Sequence, residues 1–479
     1  MYELAAKGGR MPRMTALVWF RRDLRVFDHP SLAAALREHD TIVPVFVLDA
    51  RLIHGRFPSP GRTQFLLATL EELRAALRDR GGDLIIRHGT PEVELVSVAR
   101  EAGAHEVFFA SDVSPFAMSR DSRVEDSLRD AGITPRRTPG NFVADVGKPR
   151  TADGRPFSVF SPFWRKWREL PRRDVEAPPD AISIPPGLDP GAVPALEELG
   201  LTPELTDPMP PGERAARARM ESFLAGGLDS YVKRRGLLSG GTSELSPYIH
   251  FGCLSARELE ARVLAHGGEG AGAFVRQLAW RDFYAHVLLT HPGNARGAFK
   301  PQFDALEWSE DAEHLAAWRD GRTGFPVVDA GMRQLAARGW MHNRARLIVA
   351  SFLTKDLHID YRVGEAHFMR LLLCGDEAQN NGNWQWISSV GVDPQPFYRR
   401  IYNPVLQQQR HDPDGEYVRR WVPELRDVPL ERLAEPWTMT HEEQREAACL
   451  IGQDYPAPIV DHRAERALTL DRYRAVTGG

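Results

Sequence analysis

Four short segments hold the residue types that could do chemistry, and all lie in the second half of the chain. Trp280-Arg281-Asp282-Phe283-Tyr284 sets an arginine among aromatics. On a helix, such a group suits a pocket that stacks a flat ring and holds an anion. Taken alone, an ordinary amphipathic helix with a surface arginine is the better account. Trp340-Met341-His342-Asn343-Arg344-Ala345-Arg346 places two arginines two residues apart. A helix turns them to different faces, one outward and one toward a buried partner; alone, it reads as a capped basic helix. Asp376-Glu377-Ala378-Gln379-Asn380-Asn381-Gly382-Asn383 has the Asn/Gly density of turns, but Trp384-Gln385-Trp386 follows directly. Gly241-Thr242-Ser243-Glu244-Leu245-Ser246-Pro247 offers hydroxyls at a helix start, which suits a pyrophosphate or plain capping.

The elements that must position these groups follow from periodicity. Ala16–Phe20, Ile42–Leu48, Leu84–Arg87 and Glu106–Ala110 read as short buried strands. Leu32–Arg37, Thr63–Arg80, Pro91–Ala102 and Ser119–Asp130 between and after them have helical apolar spacing. This alternation predicts a parallel sheet with helices on both faces. No G-x-G-x-x-G and no G-x-x-x-x-G-K-[ST] follows a strand, so the domain is not an evident dehydrogenase or P-loop domain. Prolines crowd residues 171–212, which reads as a linker over the surface. From Glu213 to about Gly375 the pattern is helical. Ser255-Ala256-Arg257-Glu258 reads as a capping box, and Ser246-Pro247 as a cap before a first-turn proline.

Composition narrows the class. The 479 residues are 42% apolar and 26% charged, enough for two or three ordinary domains. No run approaches the ~18 apolar residues of a membrane span, and Met1 to Arg13 lacks the apolar segment of a secretory signal. Met11 or Met14 is an alternative start, and residues 1–13 are expected to be disordered. Cys253, Cys374 and Cys449 lie far apart, which gives no disulfide framework and no metal spacing; a cytoplasmic protein without a metal is expected. The formal charge is −4, so any nucleic-acid binding must come from a local cationic patch. Eleven tryptophans exceed ordinary core needs, and indoles stack on bases and carry electrons.

In this order, the segments resemble the photolyase/cryptochrome flavoproteins, closest to bacterial cyclobutane pyrimidine dimer photolyases. The resemblance runs from Thr15 to about Ala467 and includes Trp19-Phe20-Arg21-Arg22-Asp23-Leu24-Arg25 and Arg400-Ile401-Tyr402-Asn403-Pro404. It implies an α/β N-terminal domain with a five-stranded parallel sheet, followed by an all-α FAD-binding domain. Residues 14–150 would host an antenna chromophore, 151–212 would link, and 213–476 would bind FAD and DNA. Tyr231, Thr242, Ser243, Leu245 and Ser246 match positions that hold the phosphates and ribityl chain of FAD. Gln277, Asn343, Arg346, Asp376 and Asn380 match further cofactor positions, with Arg346, Asp376 and Asn380 around the isoalloxazine ring. Trp280 and Trp386 match the aromatics of the lesion pocket, Leu347 a lesion contact, and Arg235, Arg281, Arg344 and Arg400 the grips on DNA phosphates. The implied function is blue-light repair of UV-damaged DNA by a monomer without an obligate protein partner. The alternative is a cryptochrome-like photoreceptor.

Four positions depart from the family pattern. Gln277 stands where a glutamate usually meets the lesion, and Leu347 where a methionine does. Cys374 replaces an aspartate that pairs with the arginine matching Arg346, which is therefore expected to rely on flavin or water. Tyr361 replaces the middle tryptophan of an electron-transfer chain whose ends match Trp384 and Trp308. Other positions favour dimer repair. Asn380 would face the flavin N5 edge as an amide that cannot titrate. Asn343 and Leu347 stand where (6-4) photoproduct enzymes carry two histidines, so no general acid serves that chemistry. Ser111-Asp112-Val113-Ser114-Pro115-Phe116 lacks the glutamate that holds a folate antenna. That leaves 8-hydroxy-5-deazaflavin, a flavin, or no antenna.

Overall fold

The computed structural model describes residues 15–477. The expectation for residues 1–13 lies outside them. Strands β1 (Thr15–Phe20), β2 (Thr41–Leu48), β3 (Ile85–His88), β4 (Ala104–Ala110) and β5 (Thr134–Thr138) form one parallel sheet in the order β3-β2-β1-β4-β5. The first four strands are those with an apolar signature. β5 reads Thr-Pro-Arg-Arg-Thr and was not visible as a strand, because an edge strand carries its charge outward. Arg136 donates to Glu106 and Glu38 there. Helices Pro30–Glu38, Pro60–Arg78, Pro91–Ala102 and Pro115–Asp130 cover the sheet. The last starts earlier than its apolar spacing suggested, because Ser114 caps it and Pro115 opens it.

Residues 171–211 hold only a three-residue 3-10 turn, Glu197–Leu199, and lie along the sheet layer. The Ile42 N–H donates to the Ser183 carbonyl at 2.9 Å, and that of Ile86 to Pro190 at 2.8 Å. Thereafter the chain is helical. Its axis is the Trp280 helix, Gly268–Thr290, whose buried residues run from Gly270 to Leu288. Gly382 on the helix Glu377–Ile387 lets the two approach, since a Cβ there would stand 2.1 Å from the Tyr284 ring.

Two capping expectations need correction. Ser255 accepts from Arg257 and Glu258, but Glu258 does not return the bond; its carboxylate pairs with Arg217 instead. Ser246 is the first helical residue of Ser246–Phe251, capped by Leu245, so its hydroxyl does not act as the cap.

The halves join through buried polar groups. Asp282 accepts from the Val143 and Ala144 N–H groups at 3.2 and 3.1 Å, and from the Trp167 indole at 2.9 Å. Burial pushes its carboxyl up to about 6. His286 accepts from the Phe157 N–H at 3.0 Å and bonds the Val146 carbonyl at 2.8 Å. Among the described residues, no helix is long and apolar enough to cross a membrane.

Candidate functional site

A cavity of about 930 Å³ opens between the helices. One wall carries Tyr231, Thr242, Ser243, Leu245 and Ser246. Glu244 within that turn has φ 51° and is pinned by Arg219 at 2.5 Å, which holds the loop in shape. Gln277, Trp280, Asn343, Arg344, Arg346, Leu347, Asp376 and Trp386 also line the cavity. Arg235 and Arg281 also line it.

The two tryptophans share one construction. Trp280 lies flat against Phe160, with ring centroids 3.7 Å apart and planes 7° from parallel. Phe283 meets its edge at 5.6 Å. Trp386 lies under the Arg400 guanidinium, 3.5 Å from its centroid, and Asp393 holds that guanidinium at 2.6 Å. Each indole thus has one face covered by protein while it lines the cavity. Offset or parallel stacking of this kind is worth about 0.5–1.5 kcal/mol beyond buried area, and it fixes ring orientation.

The arginines divide differently from the expectation. Arg344 and Arg346 both line the cavity, because the Arg346 side chain folds back to the Met341 carbonyl at 2.9 Å. Its Nη2 lies 3.3 Å from the Cys374 sulfur, so Cys374 is a direct partner and Arg346 does not depend on flavin or water alone. Arg281 is not a free phosphate grip: its Nη1 donates to the Asn141 carbonyl at 2.6 Å, and it covers Phe142 at 5.1 Å. Arg400 is likewise occupied by Asp393 and Trp386. Arg235, Arg344 and, unforeseen, Arg410 have no ion-pair partner among the described residues and form the cationic rim. The Arg344 Nε is buried with no hydrogen-bond partner among the described residues.

Asp376 caps the helix Glu377–Ile387 by accepting from the Gln379 N–H at 3.0 Å. Its other oxygen pairs with Arg22 of the α/β half. Burial alone would raise this carboxyl, but Arg22 and His250 outweigh it and hold it well below the usual range. Asn380 and Trp384 line an adjoining cavity of about 70 Å³, shared with Asn343, Arg346, Leu347 and Cys374. The Asn380 amide nitrogen donates to the Glu365 carbonyl at 2.9 Å, which leaves its oxygen as the free group. Gln277 is exposed, and no protein partner engages its amide among the described residues.

Tyr361 and Trp308 lie outside both cavities and touch each other, with centroids 6.3 Å apart. The Trp384 ring instead meets Phe368 at 5.0 Å and Trp318 at 6.3 Å. It reaches the Tyr361 helix at Gly364, where a Cβ would stand 2.2 Å from the ring.

A second cavity, of about 660 Å³, lies at the carboxyl ends of β1 and β2. Trp19, Phe46, Phe116, Arg51 and Arg120 line it, and Asp376 borders both large cavities. Open α/β sheets bind ligands at this edge.

Known proteins place the chain. The description DNA photolyase matches residues 16–181, and FAD binding domain of DNA photolyase matches residues 274–475. The deoxyribodipyrimidine photo-lyase of Streptomyces griseus is 41% identical over 471 residues, covering 95% of this chain and 99% of that protein. The chain belongs to the DNA photolyase family. Among solved structures, a class III photolyase from Agrobacterium tumefaciens superposes with a TM-score of 0.92 at 32% identity, covering 99% and 100% of the two chains. A Synechocystis sp. PCC6803 cryptochrome superposes at 0.89 and 28% identity, covering 96% and 99%. The photolyase residues fit the FAD that the matched domain implies. The cavity offers hydroxyls for phosphates and aromatic walls for flat rings.

Sequence reasoning missed Phe160, Arg410 and the Arg22–Asp376 pair. Phe160 had a signal: Phe160, Phe163, Trp164 and Trp167 recur at helical spacing. Arg410 reaches the cavity, and Arg22 reaches Asp376, only through the approach of distant segments, with no local signature.

Proposed function

We propose that the chain is a blue-light-driven DNA repair enzyme, a carbon–carbon lyase that splits cyclobutane pyrimidine dimers. The observation that carries this reading is the pair of half-covered indoles, Trp280 and Trp386, on a cavity with a cationic rim. A dimer stacks and pairs poorly, so moving it out of the duplex costs less than moving an intact step. The free faces of Trp280 and Trp386 receive it. Gln277 offers an amide that both donates and accepts to the pyrimidine edges. Arg235, Arg344 and Arg410 hold flanking phosphates without reading sequence. Tyr231, Thr242, Ser243, Leu245 and Ser246 hold the phosphates and ribityl chain of FAD, and Asn343, Arg346, Asp376 and Asn380 border its ring. Reduced FAD held by these residues would supply light-driven one-electron chemistry to the dimer. Trp384, Tyr361 and Trp308 carry electrons inward when the flavin starts oxidised.

The 660 Å³ cavity suits a second flat chromophore, 8-hydroxy-5-deazaflavin or a flavin, bound by residues 14–150. Residues 151–212 link this unit to the FAD- and DNA-binding unit, 213–476. The enzyme works on damaged DNA as a cytoplasmic monomer.

The deciding experiment illuminates chain carrying pre-reduced FAD with DNA holding a defined lesion. Cyclobutane dimers should be split and (6-4) products left intact. If folded protein with reduced FAD splits no dimer, the repair reading fails and a cryptochrome-like photoreceptor replaces it. Extraction of a second chromophore from protein made in its own host tests the antenna reading.

A further inference from the structure

We propose that Cys374 leaves the charge of Arg346 unneutralised beside the flavin ring and so biases the cofactor toward its reduced, singly negative form. This rests on the reading that the cavity holds FAD with Arg346 at the ring.

Two neutral atoms account for the Arg346 contacts: the Met341 carbonyl oxygen at 2.9 Å and the Cys374 sulfur at 3.3 Å. Among the described residues, no carboxylate lies within ion-pair distance of it. The nearest acids along the same walls are committed elsewhere, Asp376 to Arg22 and Glu244 to Arg219. Cys374 is 8% exposed, so little water screens the guanidinium on that side. A thiol is a weak acceptor and brings no formal charge. Oxidised flavin that takes up two electrons and one proton gains one net negative charge. A fixed cation in a poorly screened site stabilises that charge, and a carboxylate in place of Cys374 would cancel much of the effect.

The test is a spectroelectrochemical titration of FAD-loaded chain, with electrons from the electrode and protons from buffer. Cys374→Asp should lower the flavin midpoint potential by at least a tenfold change in the reduced-to-oxidised ratio, about 30 mV for a two-electron couple. Cys374→Ser should leave the potential in place, and Arg346→Gln should lower it as Cys374→Asp does. A rise in Cys374→Ser would overturn the proposal, because the sulfur would then have carried the neutralising charge. If Arg346→Gln lowers the potential while Cys374→Asp does not, the proposal fails but the flavin placement stands. If folded, FAD-loaded Arg346→Gln keeps the wild-type potential, Arg346 is not at the ring and the placement itself fails. Should Cys374→Asp not fold, the Arg346→Gln and Cys374→Ser arms still decide: the proposal requires a drop in the first and none in the second.

Discussion

Phe160 and Arg400 do the same task by different forces. One covers Trp280 by dispersion, the other covers Trp386 by a cation–π contact anchored on Asp393. Phe160→Leu removes the flat partner and frees the Trp280 ring to rotate. Affinity for dimer-containing DNA should fall about 2–12-fold, in line with the ~0.5–1.5 kcal/mol of such a stack, while undamaged DNA binds as before; Phe160→Tyr should restore it. Equal weakening on both DNAs would rule out a role specific to Trp280. Arg344→Ala should instead weaken both DNAs and reduce the salt slope of binding by about 1. Arg400→Ala should resemble Phe160→Leu rather than Arg344→Ala, because its guanidinium is already held by Asp393. Electron transfer is decided at this scale too. Burial raises the Tyr361 phenol pKa, and an oxidised phenol must lose its proton. Under blue light with an external thiol, Tyr361→Trp should speed flavin photoreduction, and Trp384→Phe should nearly abolish it. Trp318 touches Trp384 and is wholly buried. If Tyr361→Phe retains photoreduction and Trp318→Phe loses it, electrons pass through Trp318.

Among the elements, the last helix, His462–Thr477, locks the segment after Trp386. The Tyr473 hydroxyl donates to the Ser388 carbonyl at 2.6 Å, and Lys355 donates to the same carbonyl at 3.0 Å. The Lys355 Nζ sits 3.6 Å from the Tyr473 ring centroid, and burial holds its pKa well below the ordinary value. Tyr473→Ala leaves a cavity beside a wholly buried lysine. It should cost about 3–5 kcal/mol by the measure of large-to-small aromatic substitutions, read from denaturant midpoints. Tyr473→Phe should cost about 1 kcal/mol, the value of one hydrogen bond. A Tyr473→Ala protein as stable as wild type would mean the helix is only loosely docked.

At the scale of the whole molecule, buried histidines work against stability in acid. Burial pushes His250, His286 and His342 down to about 4. Their folded values lie below the ~6.5 of an unfolded chain, so their neutral forms contribute stability above that pH. It is lost as pH falls from 6.5 toward 4, by up to about 1.4 kcal/mol per pH unit for each group. Asp282 runs the other way. Its folded value of about 6 exceeds the unfolded one, so it recovers some stability as pH falls through 6. Thermal midpoints should therefore decline between pH 6.5 and 4.5. His286→Gln, which can still donate and accept, should show a shallower decline; an unchanged slope would exclude His286 as a source.

Periodicity was enough to indicate the parallel sheet and the helical second half, whereas the cavity residues were named from the family resemblance that the short segments carry together. Strand alternation, caps and the spacing of Trp280, Arg344, Asp376 and Trp386 are properties of short segments, which the chain carries wherever it folds. Tertiary structure decided what local pattern cannot express: which face of an indole is covered, and by what. It turned Arg281 and Arg400 inward onto Asn141 and Asp393, and gave Arg346 a sulfur partner. It brought Arg22 across 354 positions to Asp376. The physical reason is that a guanidinium or an indole has several equivalent partners in principle. Only the packing of distant segments leaves one within reach.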